Sequence, residues 1–151
     1  MNRLDSVHIL VVDNNDSDRF SLITLLESEG AICHVARTRT EAMGLYLALF
    51  IENIVPRAII TEWYLNAPST KEFKFYLDIN RPESNTSKTL IQRFQKLDPS
   101  VSIIVHSAYL DDMIHEKLPV RLIQKGEPLR NIIEALEEST SVRHSTVKVN
   151  K

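Results

Sequence analysis

Four short apolar runs in this chain each lead into a polar group that can do chemistry. VHILVV (7–12) is followed by Asp13 and Asn14, and AIIT (58–61) by Glu62. VSIIV (101–105) leads to His106 and Ser107, and the run 120–123 leads to Lys125. The groups delivered are a carboxylate with an amide, a second carboxylate, a hydroxyl and an ammonium. Gathered at one edge they would make a charged binding site. Taken singly, Asp13 caps a helix, Glu62 and Lys125 are solvated charges, and Ser107 bonds local backbone.

Other chemistries are excluded by what is missing. Gly30, Gly44 and Gly126 are the three glycines, too far apart for a phosphate-cradling loop. The single cysteine, Cys33, allows neither an internal disulfide nor a cysteine-based zinc site. His8, His34, His115 and His144 show no metal-ligand spacing. His106 and Ser107 are strand neighbours, so their side chains point to opposite faces and do not form a catalytic pair.

The elements that must position these groups alternate. The run 7–12 reads as a strand buried on both faces. Asp16 or Ser17 opens a helix with Phe20, Ile23 and Leu26 on one face and Gly30 at its end. Residues 31–36 form a second strand, and Thr38 with Glu41 has capping-box spacing for a helix to about Asn53. Residues 58–61 are a third strand. Phe73, Phe75, Leu77 and Ile79 alternate in 71–79, which favours an extended segment. A helix over 88–97 carries Leu90, Ile91, Phe94 and Leu97 on one stripe and stops at Asp98-Pro99. A fourth strand (101–105), a short helix (111–117) and a fifth strand (120–123) follow. Pro128 starts a last helix on Leu129, Ile132, Ile133 and Leu136. Five strands alternating with five helices predict an α/β fold: a doubly wound, five-stranded parallel sheet with helices on both faces. Sites in such sheets lie outside the carboxyl ends of the strands, where Asp13, Asn14, Glu62, Ser107 and Lys125 fall.

Size and charge narrow the function. The chain has 151 residues, 43% of them hydrophobic, enough for one domain with its own core. A net charge of −2 gives no field drawing it to nucleic acid or an anionic membrane. No apolar run reaches membrane-span length and no signal-peptide layout is present, so a soluble, cytoplasmic protein is expected. The expected domain is 1–138, with a long insertion around 66–87, and 139–151 reads as a disordered tail.

Four fragments resemble the receiver domain of two-component response regulators (CheY-like). HILVVDNNDSDR resembles the first strand with its acidic pair, and PRAIITEWYL the strand bearing the phosphoacceptor aspartate. IIVHSA resembles the strand ending in Thr/Ser-Ala, and LIQKG the strand ending in Lys. The resemblance covers about residues 7 to 138 and implies the flavodoxin-like arrangement. In that family two acids and the acceptor aspartate hold Mg²⁺, while the hydroxyl and the Lys bind the phosphoryl oxygens. Asp13 matches the first acid, Ser107 the hydroxyl and Lys125 the ammonium.

The departures change the expected function. Asn14 stands at the second acid's place, Glu62 at the acceptor's, Gly126 where the family has Pro, and Leu122 where an aromatic switch residue is often found. Asp13, Glu62 and Lys125 leave a net pocket charge of −1, against −2 in the resembled pocket. One unit charge at about 4 Å is worth about 4 kcal/mol at an effective dielectric near 20. Mg²⁺ held by Asp13 and Glu62 is therefore expected to be weak or absent. The expectation is a pseudo-receiver, not an enzyme, that signals through protein contacts. Its partners would be proteins such as a histidine kinase or a downstream signalling protein. Too little chain follows Glu138 for a DNA-binding output module, so a stand-alone adaptor or a piece of a larger regulator is expected. Two alternatives are a receiver phosphorylated on another acid, Asp13 or Asp16, and a flavodoxin-like small-molecule binder. The scarcity of glycine weighs against the second.

Overall fold

A computed structural model of the chain describes residues 3–65, 86–113 and 116–149. The strands are β1 (His8–Val12), β2 (Ile32–Ala36), β3 (Ala58–Thr61), β4 (Ser102–Ser107) and β5 (Arg121–Gln124). The helices are α1 (Asp16–Ser28), α2 (Arg39–Ile51), α3 (Lys88–Leu97) and α4 (Arg130–Val149). All neighbours pair in parallel, in the order β2-β1-β3-β4-β5. This is the doubly wound, flavodoxin-like arrangement read from the sequence.

The alternation of side chains divides the core in two. Leu10, Val12, Ile59, Ile103 and Val105 pack with Tyr46 of α2 and Leu90, Ile91 and Phe94 of α3. Ile9, Val11, Ile60 and Ile104 pack on the opposite face with Leu22 and Leu26 of α1 and Ile132, Ile133 and Leu136 of α4. Both faces of the central strands are therefore apolar, which explains their unbroken hydrophobic runs. Phe94 is fully buried, and its ring centroid lies 4.9 Å from that of Tyr46.

Several local expectations are corrected. Asn15, not Asp16 or Ser17, caps α1, its side chain accepting the Asp18 N–H at 2.9 Å. Phe20 is 73% exposed, because Leu22, Ile23, Leu25 and Leu26 already supply the inward stripe of α1. Leu97 is exposed at the end of α3. Where a helix is expected over 111–117, the described residues show a 3₁₀ turn, Leu110–Met113. Pro119 disfavours helical geometry at Leu118, and residues 116–118 are not helical. Helix α4 continues to Val149, into the stretch read as a disordered tail. No Pro or Gly interrupts that stretch, and the Ser139 hydroxyl, bonded to the Ala135 carbonyl and the Ser102 hydroxyl, ties its start to the sheet. The extended segment expected over 71–79, with Phe73 and Phe75, lies outside the described residues. Its flanks meet: Tyr64 bridges Thr86, and the Ser87 N–H donates to the Trp63 carbonyl at 2.7 Å.

The register sets the site. Val12, Thr61, Val105 and Leu122 stand side by side across β1, β3, β4 and β5. The sequence-predicted groups follow within one to three residues of that row, at one edge of the sheet.

Candidate functional site

The backbone carries the sheet slightly past its formal strand ends, which fixes where the polar side chains start. The Asp13 N–H donates to the Ala36 carbonyl, Glu62 N–H to Val12, and Lys125 N–H to Ser107, at 2.9 to 3.1 Å. Asp13, Glu62 and Ser107 are buried. The Lys125 side chain is 14% exposed.

The Lys125 ammonium is the hub. Its Nζ lies 2.9 Å from Asp13 Oδ2, 2.7 Å from Glu62 Oε2 and 2.7 Å from Asp18 Oδ2. The remaining oxygens of the two buried acids are also committed. Asp13 Oδ1 accepts the Asn15 N–H at 2.9 Å, and Glu62 Oε1 accepts the Trp63 N–H at 2.8 Å. The Ser107 hydroxyl hydrogen-bonds the Glu62 side chain and accepts the Tyr109 N–H at 3.0 Å.

The third carboxylate is one that sequence reasoning missed. The resemblance places position 14 in the pocket, through the acid pair of that family. Asn14 is half-buried there, but the acid that reaches Lys125 is Asp18. With Asn15 as the cap, Asp18 is the third residue of the first turn of α1, where a side chain leans back towards the start of the helix. The cap identity is the available signal: a cap at Asn15, in place of Asp16 or Ser17, puts Asp18 at the third helical position. Three carboxylates around one ammonium make the net charge of the cluster −2, not the −1 counted from Asp13, Glu62 and Lys125. Asp16, the other acid of that turn, points away and pairs with Arg19, whose guanidinium lowers its pKa.

The titration of the cluster follows from burial and charge. Burial pushes the Glu62 carboxyl above its ordinary value, against the pull of Lys125 and the Ser107 hydrogen bond. Burial pulls Lys125 down, but the carboxylates of Glu62, Asp13 and Asp18 outweigh it, and its pKa rises. On the opposite face of β4, burial and the Lys125 charge lower the pKa of His106, whose Nδ1 has no hydrogen-bond partner among the described residues.

These side chains do not fit a divalent cation as they stand. Mg²⁺ requires about six oxygen ligands in near-octahedral geometry. Here Asp13, Asp18 and Glu62 turn oxygens towards an ammonium, and the other oxygens of Asp13 and Glu62 accept backbone N–H groups. Lys125 occupies the electrostatic role a metal would take.

No protein-family model matches this sequence, and no curated protein matches it. Solved structures do. A CheY-like receiver domain protein from Methanospirillum hungatei is 20% identical with a TM-score of 0.67, the match covering 94% of this chain and 99% of that one. The response regulator PhyR from Brucella abortus is 15% identical with a TM-score of 0.68, over 99% of this chain and 53% of that one. A Burkholderia pseudomallei response regulator, solved with a phosphorylated aspartic acid, a calcium ion and citrate, is 19% identical with a TM-score of 0.63, over 97% and 76%. The fold is that of response-regulator receiver domains. Among the described residues, no helix is long and apolar enough to cross a membrane.

Proposed function

We propose that this chain is a degenerate receiver module that signals through protein–protein contacts and is not switched by ordinary aspartyl phosphorylation. The observation that carries the reading is the three-carboxylate clamp on Lys125, with Glu62 at the end of β3 as one arm. A carboxylate that is to accept a phosphoryl group needs a free oxygen and a metal to screen the incoming charge. Both oxygens of Glu62 are engaged. Its carboxylate already sits against the ammonium and hydroxyl that the family resemblance assigns to phosphoryl oxygens. In this reading the site is a fixed internal ion-pair cluster, the output is a binding surface, and catalysis plays no part. Partners are proteins of a cytoplasmic signalling chain, a histidine kinase or a downstream regulator.

The test is intact mass after incubation with acetyl phosphate and Mg²⁺. The native chain, Asn14→Asp and Glu62→Asp should each remain unmodified. The double variant Asn14→Asp/Glu62→Asp restores charge and side-chain length together. It should gain more than the singles combined, because both groups act on one ion. An acyl-phosphate adduct on the native chain, at Glu62, Asp13 or Asp16, overturns the reading.

A further inference from the structure

Away from the Lys125 cluster, the first turns of α2 and α3 flank a groove of about 550 Å³. Arg39, Thr40 and Gly44 line it from α2, and Thr89, Leu90 and Arg93 from α3. Leu90 is a buried apolar floor, whereas Thr40, Gly44, Thr89 and Arg93 are exposed, so the groove opens along its length to solvent. Among the described residues, neither Arg39 nor Arg93 has an acidic partner, while Arg3, Arg19 and Arg121 each do.

Gly44 points the same way. A glycine inside a helix lowers its stability relative to alanine. Gly44 lies within α2, does not share the positive φ of Gly30 and Gly126, and a Cβ built on it meets nothing within 4 Å. Neither backbone geometry nor packing among the described residues calls for glycine there. Its effect is to keep the groove unobstructed between the two arginines.

We infer that this groove binds an acidic peptide segment of a partner protein, its carboxylates on Arg39 and Arg93 and its apolar side chains on the half-buried Met43, which lines the groove with Leu90. Charge complementarity selects the acidic partner, since two guanidinium groups with no acidic partner among the described residues present planar donor forks suited to carboxylates. Openness selects a peptide over a small molecule, which is ordinarily enclosed over most of its surface. The inference rests on the contact-signalling reading only in making the partner a protein. It uses no residue of the Lys125 cluster.

The probe is a fluorescein-labelled peptide of alternating glutamate and leucine, followed by fluorescence polarisation and by backbone amide shifts of the full chain. Saturable binding that weakens with salt, with shifts at residues 39–44 and 89–93, is the expected result. Arg39→Glu and Arg93→Glu should each weaken binding about tenfold at unchanged melting temperature. Gly44→Met should weaken binding while raising the melting temperature, which separates a blocked groove from a damaged fold. Equal binding of the glutamine-for-glutamate peptide, shifts mapping elsewhere, or no saturable binding up to about 1 mM overturns the inference. So does binding that appears only after residues 66–85 are deleted, because the groove would then belong to this chain. Peptide binding and phosphorylation are read separately, so the failure of one leaves the other standing.

Discussion

Replacing Lys125 with methionine keeps the unbranched side chain to within one atom of its length and removes its charge, so it isolates what the ammonium does. In the native chain Nζ meets Asp13, Glu62 and Asp18 at 2.7 to 2.9 Å. The Asp18 side chain is 43% exposed, so solvent screens much of its share. The Asp13 and Glu62 side chains are only 5% and 8% exposed. A contact of about 2.8 Å at an effective dielectric near 20 has a gross attraction of roughly 6 kcal/mol, before desolvation is subtracted. Removing one partner from a buried ion pair costs about 3–5 kcal/mol, since the other charge is left uncompensated. Lys125→Met is therefore expected to lose about 3–5 kcal/mol at pH 7, a large part of the stability of a typical domain. The loss should shrink on acidification. Burial already holds Glu62 above its ordinary value, and without Lys125 it rises further, so Glu62 becomes neutral earlier as the pH falls. Millimolar Mg²⁺ should stabilise the variant more than the native chain, because three carboxylates then lack a counterion. Urea unfolding followed by the fluorescence of Trp63, the single tryptophan, measures all three effects. A variant within about 1 kcal/mol of native at pH 7 would refute the counterion reasoning.

Acid should weaken the fold through its histidines. His34, lowered by burial and by the adjacent His8, and His106 both hold pKa values below the ordinary 6.5. The unfolded chain therefore binds protons first, and their contribution is intact above pH 6.5 and lost as pH falls through the folded values. Melting temperatures from pH 7.5 to 5.5 should fall, and His34→Leu should flatten the fall; an unchanged slope in that variant would count against His34. Gly126 stands at φ +103°, which proline cannot adopt and other residues adopt with strain. Gly126→Ala should cost about 1 kcal/mol and Gly126→Pro about 3 kcal/mol or more by denaturant titration. The Cys33 thiol is pushed up to about 12 by burial and by the Glu27 charge, so alkylation at pH 8 should be far slower in the folded chain than in urea. Equal rates would show that the thiol is not held protonated.

The sequence by itself determined the strands, the parallel sheet and four of the five residues around Lys125, counting Lys125 itself. These follow from local rules: apolar runs bounded by polar groups, capping residues, and the tendency of α/β sheets to place sites at strand ends. The same rules could not decide directions. Whether Phe20 faces the core depends on how many other apolar residues α1 presents to the sheet, and Leu22, Ile23, Leu25 and Leu26 were enough. Nor could they choose among Asn14, Asp16 and Asp18, three polar residues within one turn of a helix start. Only the cap at Asn15 and the docking of α1 bring Asp18 to 2.7 Å from Lys125 and leave Asp16 on Arg19. Charge counts read from sequence fail for the same reason. A carboxylate acts on an ammonium through distance and burial, and both are set by the packing of a helix against a strand end far away in the chain.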